Sequence, residues 1–548
     1  MKLKNYLTRE KQILNGFSKT GSFLIALLFA NCLMAQTPEL VSPDAITPKY
    51  LTEYNGEVFF TADFQQTGKN WLWSSDGTTT NVLSGTVTPT HPGSQPRDLK
   101  VFNNQLIFSA LHNEGGNWNR ELYEFVGSAP SLIKNIQIGG ESGPYSFIEL
   151  NGSLYFAADN GYNGREPWVT DGTESGTTQI ADIYFGSSGS NPFTNGGIVK
   201  SNGKILLNAK DDTYGTELWG IDGTTNGTNL IKDIKTGSSS SYPTSFYAVN
   251  NKVYFSATDD SHGKEPWVTD GTNAGTYMLK DINTSTIPNS LPGDFTAYNN
   301  KVYFKADDGN NGTELWVTDG TEAGTVLLKD INPGSTNSSH SNPRNFIEYN
   351  GQLYFGAYDG NSYGLWVTDG TATNTVKIIT TSDQLSNTFT YDDRLYFTAD
   401  DGSNGRQLWV SDGSTSGTQV IAPTIAPNSD PIPNATFEHA VVAGTLYYTA
   451  DYDGNGIKMY KRTTNNLNVN TPGESDFVVY PNPVQDVLHL ETTAHNIQKV
   501  ELLSITGQHL QTWEGESEIN ISQFTAGSYF VKITTDNHQS LTKQILKN

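Results

Sequence analysis

The residues best placed for chemistry form a short acidic run, Asp451-x-Asp453-x-Asn455-Gly456. Oxygen ligands at positions 1, 3 and 5 with glycine at 6 begin a calcium loop, so Asp451, Asp453 and Asn455 are candidate metal ligands. The bidentate glutamate such a loop wants at position 12 is Arg462 instead. Calcium is the one cofactor the residues suggest, and a plain Asx-type turn accounts for the same run. Paired acids recur at Asp211/Asp212, Asp259/Asp260, Asp307/Asp308 and Asp400/Asp401. Hydrolysis of a glycoside would need two carboxylates set apart from any repeat. The arginines follow the repeat: Arg120, Arg165 and Arg406 each stand three residues before an aromatic, as rim braces do. The sequence contains no HExxH, nucleophile elbow or phosphate loop, so no catalytic residue is assigned.

The elements that must position these residues repeat. Gly312–Thr325 reads GTELWVTDGTEAGT, and the tryptophan of that phrase recurs as Trp73, Trp168, Trp219, Trp267, Trp316, Trp366 and Trp409. Tyr123 and Tyr460 hold the place in two degenerate copies, and successive spacings run from 43 to 51 residues. A period of this length points to propellers, solenoids or arrays. Each of the nine units predicts four short strands, in the seventh Asn345–Tyr349, Gln352–Ala357, Gly364–Thr368 and Thr375–Ile379. Pairs such as Asn55-Gly56, Asn299-Asn300 and Asn350-Gly351 suit the type I′ turn of a first hairpin, and Asp319-Gly320 supplies a later one. Strands such as Val302–Phe304 are apolar on both faces and must be covered on both sides. The fold expected is all-β: a β-propeller of four-stranded blades from nine repeat units, with an eight- or nine-bladed ring. Mid-strand tryptophans then serve blade-to-blade packing, with stacking on sugars the alternative. Pro167 and Pro266, which replace the leucine of ELW, should begin their strands or face an unpaired side.

The units resemble the ELWxxDGT repeats of secreted bacterial proteins from Tyr50 to about Val469, a family that implies no settled activity. The Asp-rich loop also resembles the Asp-box of sialidase-like propellers, which raises a glycosidase alternative. Two readings follow: a propeller that binds a glycan or protein, and a polysaccharide-acting hydrolase or lyase built on the same ring. The sequence favours the first.

Charge narrows the partners. The 548 residues carry a net −23. Residues 1–36 hold five basic and one acidic residue, and residues 477–548 four basic and seven acidic, which leaves −24 on the stretch between. Such a body repels phosphate backbones and argues against nucleic acid. Lys2, Lys4, Arg9, Lys11 and Lys19 precede the apolar run Ser22–Met34, the pattern of a signal peptide over residues 1–35 cut after Ala35. Cys32 is the one cysteine, so the mature chain would have no disulfide, and because the apolar run is too short for a membrane span and is cut away, no transmembrane segment is expected in it.

The expected layout is a propeller over 36–470, a polar linker at 471–476 and a small immunoglobulin-like β-sandwich over 477–548. The last part opens on Tyr480-Pro481-Asn482-Pro483, continues through LLSITGQHL with Gly507 and AGSYFVKI with Gly527 and Tyr529, and ends TKQILKN. In that order these motifs resemble the type A C-terminal sorting domain of type IX secretion cargo. The resemblance implies a Bacteroidetes source, passage across the outer membrane, and the secretion machinery with its sortase as partners.

Overall fold

A computed structural model of the chain describes residues 38–548 apart from 65–66, 84–93, 128, 195–196, 225, 286–288, 335–338, 404, 422–429, 434–435, 464–476, 482, 493–495, 505–508 and 536–539. Every described element is a β-strand. The expected signal peptide and the linker at 471–476 lie outside the described residues. Two compact units result, one up to Arg462 and one from Thr463 on.

The first unit contains nine four-stranded antiparallel sheets, here called blades, in chain order. The sixth is Gly293–Tyr298, Lys301–Asp307, Thr313–Thr318 and Val326–Lys329; the seventh is Arg344–Tyr349, Gln352–Tyr358, Tyr363–Thr368 and Val376–Thr381. First strands of neighbouring blades approach one another and so line the axis. Because each blade is an up-and-down meander, its middle loop and its link to the next blade fall on one face. The two tight hairpins fall on the other.

The ring closes with nine blades, not eight. The ninth unit supplies three strands, and its fourth comes from the chain start: Glu39–Leu40 pairs with Lys458–Thr463, opposite Lys461 and Tyr460. Val41 N–H donates to Met459 O at 2.9 Å and Lys461 Nζ lies 3.1 Å from Glu39 Oε2. One apolar core, with Phe60 and Trp73 of the first blade beside Tyr447 and Met459 of the ninth, spans the seam. Equivalent cores join every other consecutive pair, as Tyr298, Tyr303, Leu315, Phe355 and Trp366 do between the sixth and seventh. Residues apolar on both strand faces are thus covered by a blade on each side, and all seven repeat tryptophans are buried.

Turn chemistry explains the repeated DGT. Asp319 Oδ1 accepts from Thr321 N–H at 2.9 Å and from its hydroxyl at 2.7 Å, while Thr318 and Thr325 hydroxyls meet at 2.8 Å. Gly320 sits at φ 91°, and a Cβ there would lie 2.9 Å from the Tyr254 hydroxyl of the preceding blade. Only glycine satisfies both demands. Pro167 lies inside the strand Arg165–Thr170, and its carbonyl accepts from Ile180 N–H at 3.0 Å just past the two-residue strand Thr178–Gln179. Pro167 therefore neither begins its strand nor faces a wholly unpaired side: its carbonyl is bonded there and only the N–H that proline lacks is absent from the ladder.

The second unit is a two-sheet sandwich. One sheet holds Phe477–Tyr480, Val487–Thr492 and Glu518–Asn520; the other holds His509–Glu514, Ile497–Ser504, Gly527–Thr535 and Ser540–Lys547. Val484, Leu488, Leu490, Val500, Leu502, Ile519, Val531, Ile533 and Ile545 fill its core.

Candidate functional site

The loop face is built on a buried carboxylate that the phrase ELW carries. In the second to sixth blades Glu121, Glu166, Glu217, Glu265 and Glu314 are fully buried. Each clasps the link to the next blade. Glu314 accepts from Ile331 N–H at 2.7 Å, Ser341 N–H at 2.9 Å and the Ser341 hydroxyl at 2.6 Å. Burial pushes Glu121, Glu217, Glu265 and Glu314 up to about 7, against the pull of these donors.

The glutamate is replaced in four blades: by Trp71 in the first, Gly364 in the seventh, Gln407 in the eighth and Lys458 in the ninth. Two further repeat breaks lie beside those of the seventh and eighth. Asp383 stands where earlier links have serine, and Lys305 stands where other blades have small or short polar residues. The link from seventh to eighth blade is short, only 382–385 between strands Val376–Thr381 and Ser386–Tyr391.

A cavity of about 480 Å³ opens there, lined by Asp294, Lys305, Arg344, Asn345, Asp383, Gln384, Leu385, Ser386 and Arg406. Its walls are the starts of the first strands of the sixth to eighth blades, so it lies at the channel mouth on the loop face. Asp294, Asn345 and Asn387 hold φ of 56°, 57° and 53°, each at a break in register with the second strand. A bulge of this kind re-aims side chains where an alternating strand would not. Tyr50, Asp98, Ser146 and Ser245 do the same in four other blades, with φ from 55° to 60°.

Most charges in the cavity are matched. Lys305 Nζ lies 2.7 Å from Asp294 Oδ2. Arg406 pairs with Asp383 and also donates to Gln384 O, Thr398 O and Ser386 Oγ. Arg344 is different: its Nε is buried without an acceptor, and no ion pair reaches it among the described residues. Three cations against two anions leave the lining at +1 in a strongly acidic body.

The arginines predicted as braces are braces. Arg120 Nη1 donates to Gln95 O at 2.7 Å and Ser109 O at 3.0 Å, and Arg165 Nη1 to Gly143 O at 2.7 Å. The paired acids cap their own loops, as Asp308 Oδ1 does for Asn310 and Asn311 N–H at 2.9 and 2.7 Å. At the candidate calcium run, Asp453 Oδ1 accepts from Asn455 N–H at 3.1 Å and Oδ2 pairs with Lys458. Asp451 N–H donates to Pro431 O. No cluster of three or more His, Cys, Asp or Glu with metal-holding geometry occurs among the described residues.

In the second unit Tyr480 is exposed and stacks on His489 at 5.3 Å between ring centroids. Pro481 and Pro483 are exposed, and the Tyr529 hydroxyl donates to Thr525 O at 2.8 Å near Gly527. Asn482 and Gly507 lie outside the described residues. Arg344, Asp294, Lys305 and Asp383 were not singled out from sequence. The available signal was their departure from the repeat.

Residues 478–548 match the family described as the secretion system C-terminal sorting domain. This domain marks the chain for secretion and outer-surface attachment. No helix among the described residues is long and apolar enough to cross a membrane. No curated protein matches the chain. Among solved structures, it is similar to the extracellular domain of a putative hybrid two-component system from B. thetaiotaomicron, at 11% identity and TM-score 0.33, covering 91% of this chain and 74% of that one. A puromycin hydrolase matches at 12% identity and TM-score 0.33 over 65% of this chain, and a prolyl endopeptidase at 11% and 0.35 over 79%. The chain spans only 58% and 60% of those two proteins.

Proposed function

We propose that the propeller is a binding module, displayed at or released from the cell surface, that takes a glycan or protein ligand at the channel mouth beside the sixth to eighth blades. The observation that carries this reading is the state of the cavity's carboxylates. Asp294 and Asp383 are each committed to a cation, Lys305 and Arg406. A glycosidase needs one carboxylate free to attack and another free to deliver a proton. Paired carboxylates instead hold side chains still, which suits recognition. A cavity of about 480 Å³ is also the size of a small-ligand pocket.

Export belongs to the same reading. An N-terminal signal at residues 1–35 delivers the chain to the periplasm, and the sorting domain presents it to the type IX machinery and sortase of a Bacteroidetes cell. The propeller between them is of the ELWxxDGT kind. A glycan and protein array probed with the purified chain tests the binding claim. Specific retention of a ligand without its cleavage supports it, and turnover of a bound polysaccharide would establish the hydrolase or lyase alternative.

A further inference from the structure

We propose that the cavity between the sixth and eighth blades is a subsite for a sugar acid, with Arg344 the carboxylate-binding residue. The inference rests on the binding reading above and names the ligand class for its site. A guanidinium carries five N–H donors and no acceptor, so it wants anionic or carbonyl oxygens. Arg406, in the same cavity, shows what a satisfied arginine looks like: one carboxylate, two carbonyls and a hydroxyl surround it. Arg344 has none of these, and its Nε is removed from water without an acceptor. The Nε is out of a ligand's reach, but no protein carboxylate pairs with this guanidinium among the described residues, so a ligand carboxylate meets a cation in the cavity wall without displacing a protein anion.

The rest of the lining identifies what carries the carboxylate. Asn345 and Gln384 line it with amide groups, and Asp294 and Asp383 with acceptor oxygens beside their cations. Hydroxyls, which both donate and accept, match this mixture. Leu385 is the one aliphatic lining residue, which leaves little for an apolar side chain of a peptide. The walls are also held in place: Asn345 Nδ2 donates to Leu385 O at 2.7 Å, and Gln384 Nε2 to Asn342 O at 2.8 Å. Arg344 therefore projects from a braced rim, and binding need not first order it.

The test is calorimetric titration of the full chain with galacturonate, with an oligogalacturonate and with the neutral sugar galactose, for the wild type and for Arg344→Gln and Arg344→Lys. The expected result is binding of the acidic sugars, weakened at least tenfold by Arg344→Gln and less by Arg344→Lys, with affinity falling as salt rises. Tighter binding of the oligomer than of the monosaccharide assigns the site to a polysaccharide; equal binding assigns it to a free sugar acid. Matched melting temperatures for the three proteins separate lost recognition from lost folding. Equal affinity for the acidic and neutral sugars, an unchanged Arg344→Gln affinity, or no binding of either acid would overturn the proposal. Of these, a neutral glycan held independently of Arg344 would leave the binding reading intact. An array on which neither a glycan nor a protein is retained would remove both.

Discussion

The sixth and seventh blades have the same period and the same tryptophan, yet close onto their neighbours in two ways. In the sixth, Glu314 reaches out from the third strand and clasps a link of residues 330–343. In the seventh, the fourth strand runs on until Thr381 pairs with Tyr363, and Gly364 faces it. A Cβ at Gly364 would lie 2.2 Å from Ile379 O, so a side chain there and the extended fourth strand exclude one another. The clasp is replaced by a charged brace: Asp383 accepts from Asp400 N–H at 2.7 Å and pairs with Arg406. The repeat's ordinary solution is spent on stability. Where it is given up between the seventh and eighth blades, charged side chains reach the channel mouth and a cavity appears.

The largest expected effect is common to both blades and sets the scale. Trp316→Ala and Trp366→Ala should each destabilise by about 3–5 kcal/mol, the range for truncating a large buried aromatic. Urea unfolding measures it, and a loss under about 1 kcal/mol for either would mean the indole is not core. Next comes the clasp. Glu314→Ala leaves the buried Ile331 N–H without its acceptor and Ser341 with Thr313 O alone, and should cost about 1–3 kcal/mol. Glu314→Gln, which keeps one acceptor oxygen, should recover roughly half by the same measurement. Should the alanine variant unfold like wild type, the comparison between the blades loses its basis.

Gly364→Ala probes the other side of the contrast. Added bulk against a backbone carbonyl in a packed sheet should cost about 1–3 kcal/mol. Hydrogen exchange of the Val376–Thr381 strand should rise with it, because that pairing is what the methyl displaces. Unchanged exchange would show that the strand, not the glycine, fixes the local geometry.

Much of this architecture was legible in the residues. Trp316 and its equivalents announced the period, Asn and Gly pairs announced the hairpins, and apolar runs such as Val302–Phe304 announced cover on both faces. Blade number was not legible, because the closing strand Glu39–Leu40 is two residues lying before the first repeat and carries no signature. The clasp escaped notice for another reason. A glutamate inside a strand reads as a surface residue until its serine partner, 27 residues on in the sixth blade, is brought to it. The cavity was least legible. Arg344 matters through what does not touch it, and its bulged neighbour Asn345 adopts a φ of 57° that no local motif announces. The sorting domain lay at the opposite extreme, readable from short motifs alone.

The smallest expected effect is in pH, and it separates the two faces of the ring. Clasp glutamates are raised by burial, to about 7 for Glu121, Glu217, Glu265 and Glu314. An acid raised on folding binds its proton more tightly in the folded state. Its stabilising contribution is fully present below the unfolded value near 4.5 and is lost as pH rises through about 7. Turn aspartates on the opposite face behave in reverse. Asp319 and Asp270 are lowered chiefly by the threonine hydroxyl beside them, so their contribution is present above the unfolded value and lost as acid protonates them. Melting temperature should therefore pass through a maximum near the unfolded carboxylate values, at about pH 4, and decline between about pH 4.5 and 7. Glu314→Gln, which cannot titrate, should flatten that decline by its share while leaving the acid limb unchanged. A series of melting curves from about pH 2 to 9 reads both limbs. If the substitution shifted the acid limb instead, the carboxylate would be titrating as an ordinary ionised group, and the clasp would be an ionic contact rather than a buried, proton-sharing one.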